Sequence, residues 1–236
     1  MEFFISVREL VSLAEEGRNG KYKAAKMLDM LSVEESEDYI IKLVGLLEKI
    51  LEIDEEQLKD IVSNKVIKLS QRMSEEAIIN LCESLLNTKN PYLKYLSGLI
   101  LLRNIDKVDK DIAKEYAIRL LMVLNDDLRN LGTAIIKELE NHLSKDDVIE
   151  IVETILKSGS GKRIEGVILL MSIVGKKLTF EEIASYLTYA LENIDKSDVE
   201  NIKREISLLK NVIGKKNYKR LLEHIGIHDS SDNRKK

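Results

Sequence analysis

The chain has 236 residues, 44% of them hydrophobic and 33% charged, with a net charge of −4 at pH 7. That length and apolar content suffice for a continuous core, and the mixed-sign charge excludes a strongly basic nucleic-acid binder. One Cys excludes a disulfide scaffold within the chain and points to a reducing compartment. The opening MEFFISVRELV has neither the basic region nor the small-residue cleavage site of a secretory signal. The longest apolar run, near 167–174, falls well short of the ~20 residues that span a bilayer. A cytoplasmic protein without membrane contact is therefore expected. A single Pro and no Trp suit long uninterrupted helices, and the abundance of Ile, Lys and Glu beside few Gln is a composition associated with thermophiles.

Taken from the N-terminus, the first predicted helix opens in a capping box, Ser6 to Glu9, and ends at Gly17. The second follows Asn19 and reads GKYKAAKML. These two form an atypical first unit, its open end sealed by Phe3 and Phe4. Later units pair 34–53 with 55–72, 75–88 with 91–105, 110–125 with 127–143, 145–158 with 161–175, and 180–194 with 198–213. Pro91 follows Asn90 and so occupies a first helical turn, where its missing N–H costs nothing. Capping boxes are predicted at Ser144–Asp147, Thr179–Glu182 and Ser197–Glu200. The helix near 161–175 is apolar almost all round and is expected to be the most buried. A short helix over 215–225 covers the C-terminal end of the core. Residues 1–225 are read as a single domain, and residues 226–236 as a disordered tail. About thirteen helices result, and no segment sustains period-two alternation, so no sheet is predicted.

The organising pattern is a repeat. Helix starts fall at Ser74, Asp109, Ser144 and Thr179, in steps of 35 residues, with Ser36 38 residues upstream of Ser74. Four residues after each start stand Ile40, Ile78, Ala113, Val148 and Ile183. Eight after stand Val44, Cys82, Ala117, Val152 and Leu187, and eleven after stand Leu47, Leu85, Leu120, Ile155 and Ala190. Offsets of 4, 8 and 11 share one face of a helix. The second helix of each unit carries a cation near its start, at Lys94, Arg129 and Arg163. A small residue follows at Ser97, Gly132 and Gly166, then an aliphatic pair. The first unit repeats this with Lys21, Ala24 and Met27–Leu28. Gly is poorly suited to a helix interior, so Gly98, Gly132 and Gly166 are expected where helices approach too closely for a Cβ.

This arrangement resembles the HEAT repeat, whose second helix has an aliphatic–basic pair, a small residue and an aliphatic pair. The resemblance implies an all-α, right-handed α–α superhelix of about six helical hairpins plus a short C-terminal capping helix. It also implies that the second helices line a concave face. The cations Lys21, Lys59, Lys94, Arg129, Lys162 and Arg163 then form either a partner-binding ridge or an internal ladder, paired with turn acids such as Asp127 beside Arg129.

Other motifs read as structural. The GSGK at 159–162 lacks both the upstream Gly and the Ser or Thr that a phosphate loop needs. Cys82 lies in a core column and has no His nearby in sequence. His224 and His228 lack a third metal ligand, and His142 stands alone. The acid pairs Glu34–Glu35, Glu55–Glu56, Glu75–Glu76, Asp126–Asp127, Asp146–Asp147 and Glu181–Glu182 fall in first helical turns, where negative charge offsets the dipole. No catalytic residue, cofactor or metal is therefore expected. The anticipated role is a non-enzymatic scaffold for a protein partner. The alternative is nucleic-acid binding, as in the HEAT-like alkylpurine DNA glycosylases, which this chain resembles in architecture only. A positive stripe with exposed Tyr22, Tyr92 or Tyr95 would favour the alternative.

Overall fold

The computed structural model describes residues 5–34, 36–123, 125–157, 161–192 and 206–226, without the side chains of 161–165. The chain is all-α: among these residues stand twelve α-helices and no strand, apart from one isolated bridge between Ile5 and Leu31. The helices are α1 (Val7–Ala14), α2 (Arg18–Lys26), α3 (Glu37–Ile50), α4 (Glu56–Ser70), α5 (Glu75–Leu86) and α6 (Pro91–Arg103). They continue as α7 (Lys110–Leu121), α8 (Asp126–Leu139), α9 (Lys145–Lys157), α10 (Gly161–Val174), α11 (Phe180–Glu192) and α12 (Lys210–His224). No helix among the described residues is long and apolar enough to cross a membrane. The chain divides into two compact units, Met1–Ala113 and Lys114–Lys236.

Short polar residues start these helices because their side chains accept the orphan N–H groups of the first turn. Ser36 Oγ accepts from Tyr39 N–H at 3.2 Å, Ser74 Oγ from Ala77 N–H at 3.3 Å, and Asn90 Oδ1 from Tyr92 N–H at 2.9 Å, with Pro91 behind it. The boxes at Ser6–Glu9, Ser144–Asp147 and Thr179–Glu182 close in both directions. One N-terminal boundary differs from expectation. α1 stops at Ala14, and Gly17, at φ 85°, opens α2 in place of Asn19, which lies inside the helix. Glu34 precedes α3 and is not in a first turn; Glu35 lies outside the described residues. Gly214, at φ 77°, breaks α12 where a gap between helices was expected, since that left-handed conformation suits glycine. Phe3, Phe4, Ser197, Glu200 and the tail from 227 onward lie outside the described residues.

The three repeat columns are the core face. All fifteen positions are buried, Val44 being the most accessible at 8%. Fully burying a Leu or Ile side chain contributes about 1.5–3 kcal/mol, and Leu43, Leu47, Leu81, Leu85 and Ile78 are all fully buried in the first unit. There α3 packs on both α1 and α5, while α4 packs on both α2 and α6. In this unit odd helices pack on odd and even on even, and the α1–α2, α2–α3 and α5–α6 contacts join them.

In the second unit α10 packs on α8, α9 and α12, and no residue from 166 to 175 is exposed, as its apolar composition demands. The small-residue column is not uniform. A Cβ on Gly132 would meet Ala117 O at 2.9 Å and Leu121 Cγ at 3.0 Å, so α7 and α8 do require glycine there. On Gly166 it would meet Leu121 O at 3.5 Å, an ordinary contact, which corrects the expected close approach. In the first hairpin the tight position is Gly20, against the Leu13 carbonyl, and not Ala24.

Polar ties between helices carry the repeat distance. In the first unit Arg18 and Tyr22 reach Glu55, Lys49 reaches Glu15, Lys65 reaches Asp29, Tyr92 reaches the Lys59 carbonyl and Asn104 reaches Ser70, all across 33–37 residues of chain. In the second, Lys114 reaches Asp147 and Glu150 across 33 and 36 residues. Ties made by Lys21 and Arg72 depart from this range, at 28–31 and 41–43 residues.

Candidate functional site

The repeated cations at the starts of the second helices have different surroundings. Lys21 is 7% exposed, and its Nζ donates to Lys49 O at 2.5 Å and Glu52 Oε2 at 2.6 Å. It closes the C-terminal end of α3, where a cation offsets the helix dipole, and it holds the Glu52 carboxyl below its ordinary range. Lys59 pairs with Asp54 at 2.5 Å and Glu56 at 3.6 Å, and Asp54 raises its pKa. Arg129 is 5% exposed, bonded to Asp126 and to Val123 O; the partner acid is Asp126, not Asp127. For these three the internal ladder describes the geometry. Lys94 is half-buried, with no ion pair among the described residues. The side chains of Lys162 and Arg163 lie outside them.

The neighbouring tyrosines turn inward as well. Tyr22 donates its O–H to Glu55 at 2.7 Å and Tyr92 to Lys59 O at 2.6 Å; Tyr95 lies 6.3 Å from Tyr92, ring centre to ring centre. All three are half-buried. Glu55, accepting from Arg18 and Tyr22, has its carboxyl pKa lowered by the guanidinium first and the phenol second. Lys21 and Lys59 are therefore neutralised and Tyr22 and Tyr92 hydrogen-bonded at these helix starts.

Among the motifs read as structural, Gly159 and Ser160 of the GSGK motif, with the side chain of Lys162, lie outside the described residues. Cys82 is fully buried, its thiol donating to Ser97 O at 3.4 Å, and burial pushes its pKa far up, away from thiolate chemistry. Asp147 is held well below the ordinary carboxylate range by Lys114 first and then by the Ser144 hydroxyl and N–H. Among the described residues no group of three His, Cys, Asp or Glu side chains is placed to hold a metal. His228 lies outside those residues, and His142 sits exposed beyond the end of α8.

The surface that the sequence reading missed surrounds α11. Between α11 and α12 lies an open groove of about 510 Å³, walled by Phe180, Ala184, Thr188, Tyr189, Arg220 and His224, with Glu181 and Glu192 on the α11 side. A second depression of about 310 Å³, toward α9, is lined by Leu156, Lys157, Tyr186 and Tyr189. Tyr189 is 49% exposed and belongs to both. Arg220 Cζ lies 4.7 Å from the centre of the Phe180 ring, a cation–π contact that holds the guanidinium at the groove wall. One signal was available in the sequence: Tyr186 and Tyr189 are three apart on α11, yet neither belongs to a buried column. The chain matches no known protein family, no curated protein and no solved structure.

Proposed function

We propose that the chain is a non-enzymatic scaffold that binds a protein partner through the helix faces of a HEAT-like, right-handed α–α superhelix. The observation that carries this reading is the 33–37-residue spacing of its ties between helices, which is the spacing of its sequence repeats. Stacked helical hairpins of this kind offer long curved surfaces suited to binding. The step from architecture to role is an analogy. It gains support from the open, aromatic-lined surface around Tyr189. Cys82 and the first-turn acids are taken up by core packing, caps and ion pairs, so the reading assigns them no catalytic part.

In this account the second helices face the partner, and the surface around Tyr189, on the first helix α11, is a further contact beside them. Of the cation ridge, Lys94, Lys162 and Arg163 remain its candidate contacts, while Lys21, Lys59 and Arg129 fix helix to helix. A cytoplasmic protein partner, with no cofactor, follows from the same reasoning. The test is affinity capture of the tagged chain from its native cell at moderate salt, with and without nuclease. A stoichiometric protein that survives nuclease supports the scaffold. Recovery of nuclease-sensitive material alone contradicts it and favours nucleic-acid binding, which falls steeply with salt.

A further inference from the structure

We infer that the groove between α11 and α12 docks an amphipathic helix of a partner protein, one acidic along one flank and basic along the other. This rests on the scaffold reading and names one of its contact surfaces. The groove has a cation, Arg220, on one wall and two carboxylates on the other. Arg220 and His224 stand four residues apart on α12, hence on one face, and both line it. Glu181 and Glu192 line the other wall, eleven residues apart on α11, three turns along the same face. Neither Arg220 nor these two acids has an ion pair among the described residues, and Arg220 is held by the Phe180 ring. The charges are therefore available to an incoming chain, with Arg220 held in place at the wall.

Between the charged groups the surface is of mixed polarity, with Ser185 and Thr188 beside Ala184. Ala184 and Thr188, one turn apart, leave space for side chains of an opposing helix, and Phe180 and Tyr189 flank them. The separation of Glu181 from Glu192 is about 16 Å along the axis, at 1.5 Å per residue, which three turns of partner helix cover. A volume of about 510 Å³ admits several apolar side chains. Helix-in-groove docking uses this combination of aromatic contacts, small floor residues and flanking charge. Two acidic residues on one wall disfavour a phosphate backbone.

The experiment uses the full chain as bait for a displayed library of helical fifteen-residue peptides. Selected peptides are then measured against the wild type, Arg220→Glu and Glu181→Lys, both exposed positions whose folding is checked by circular dichroism. The expected ligands carry apolar residues at i, i+3 or i+4 and i+7, with acids on one flank and bases on the other. They lose about tenfold in affinity on either variant, and exchanging the charge on the matching flank restores binding. No enrichment, or equal affinity for Arg220→Glu, overturns the proposal. So does sedimentation showing that the wild type self-associates and Arg220→Glu does not, because the occupant is then a second copy. If a partner co-purifies from cells with the wild type and with Arg220→Glu alike, the groove fails and the scaffold stands; if no partner appears with either, both fail.

Discussion

Glycines at helix crossings give the sharpest quantitative test, because Gly132 and Gly166 look alike in sequence and differ in space. Replacing Gly by Ala inside a helix gains about 0.5–1 kcal/mol in propensity and unfolded-state entropy when the Cβ has room. At Gly166 the new Cβ lies 3.5 Å from Leu121 O and 3.7 Å from Arg129 Cδ, both ordinary contacts, so Gly166→Ala is expected to stabilise by about that amount. At Gly132 the Cβ falls 2.9 Å from Ala117 O, a backbone atom that cannot swing aside, and near Leu120 and Leu121. Overpacking costs about 1–3 kcal/mol, so Gly132→Ala is expected to lose about 1 kcal/mol net. Gly20→Ala meets the Leu13 carbonyl oxygen more closely still, with Glu16 Cβ at 2.9 Å, and is the most damaging of the three. The assay is urea unfolding followed by circular dichroism, comparing midpoints at unchanged slope, with thermal midpoints shifting about 2–4 °C per kcal/mol for a chain of this size. If Gly166→Ala proves no more stable than Gly132→Ala, the crossing geometry assigned to α7 and α8 is wrong.

Stability should fall on acidification. Asp147 has a folded pKa below its ordinary value, so its contribution is present above about pH 4 and is lost as pH drops through the folded pKa. Asp147→Asn is expected to flatten that part of the stability–pH curve, and an unchanged slope would refute the Lys114–Asp147 tie. Buried Ser70 accepts from Asn104 Nδ2 at 2.9 Å. Ser70→Ala should cost about 1–2 kcal/mol, because one N–H of the buried Asn104 amide loses its partner while the other keeps Ile100 O, and a loss below a few tenths would remove the hydrogen bond from the account. The Cys82 thiol should resist iodoacetamide in the native protein and react only as the chain unfolds; rapid native labelling would contradict its burial.

Local chemistry was legible wherever one residue settles one conformation. Ser36, Ser74, Ser144 and Thr179 start helices because a hydroxyl accepts a first-turn N–H, and that needs no knowledge of neighbours. The buried columns were legible for a related reason: an apolar face recurring every 35 residues has to meet its own kind. Pairing across helices was not. Lys21 looks like a surface cation in the sequence, yet it caps the end of α3 and binds Glu52, a relation set by how α2 leans on α3. Gly166 was misjudged and Gly20 went unnoticed because the distance between two backbones depends on crossing geometry, which side-chain periodicity does not encode. The groove at Arg220 escaped notice because its facing residues, Phe180 and Arg220, are 40 residues apart in the chain.

The central claim is that helices pack one repeat apart, and carbodiimide cross-linking with peptide mass spectrometry tests it most directly. Carbodiimide joins a Lys to a carboxylate only where the two already touch. On the isolated monomer, amide links are predicted for Lys49–Glu15, Lys65–Asp29, Lys114–Asp147 and Lys145–Glu182. Their absence, with the dominant links falling at unrelated separations, would contradict the repeat packing and the scaffold role built on it.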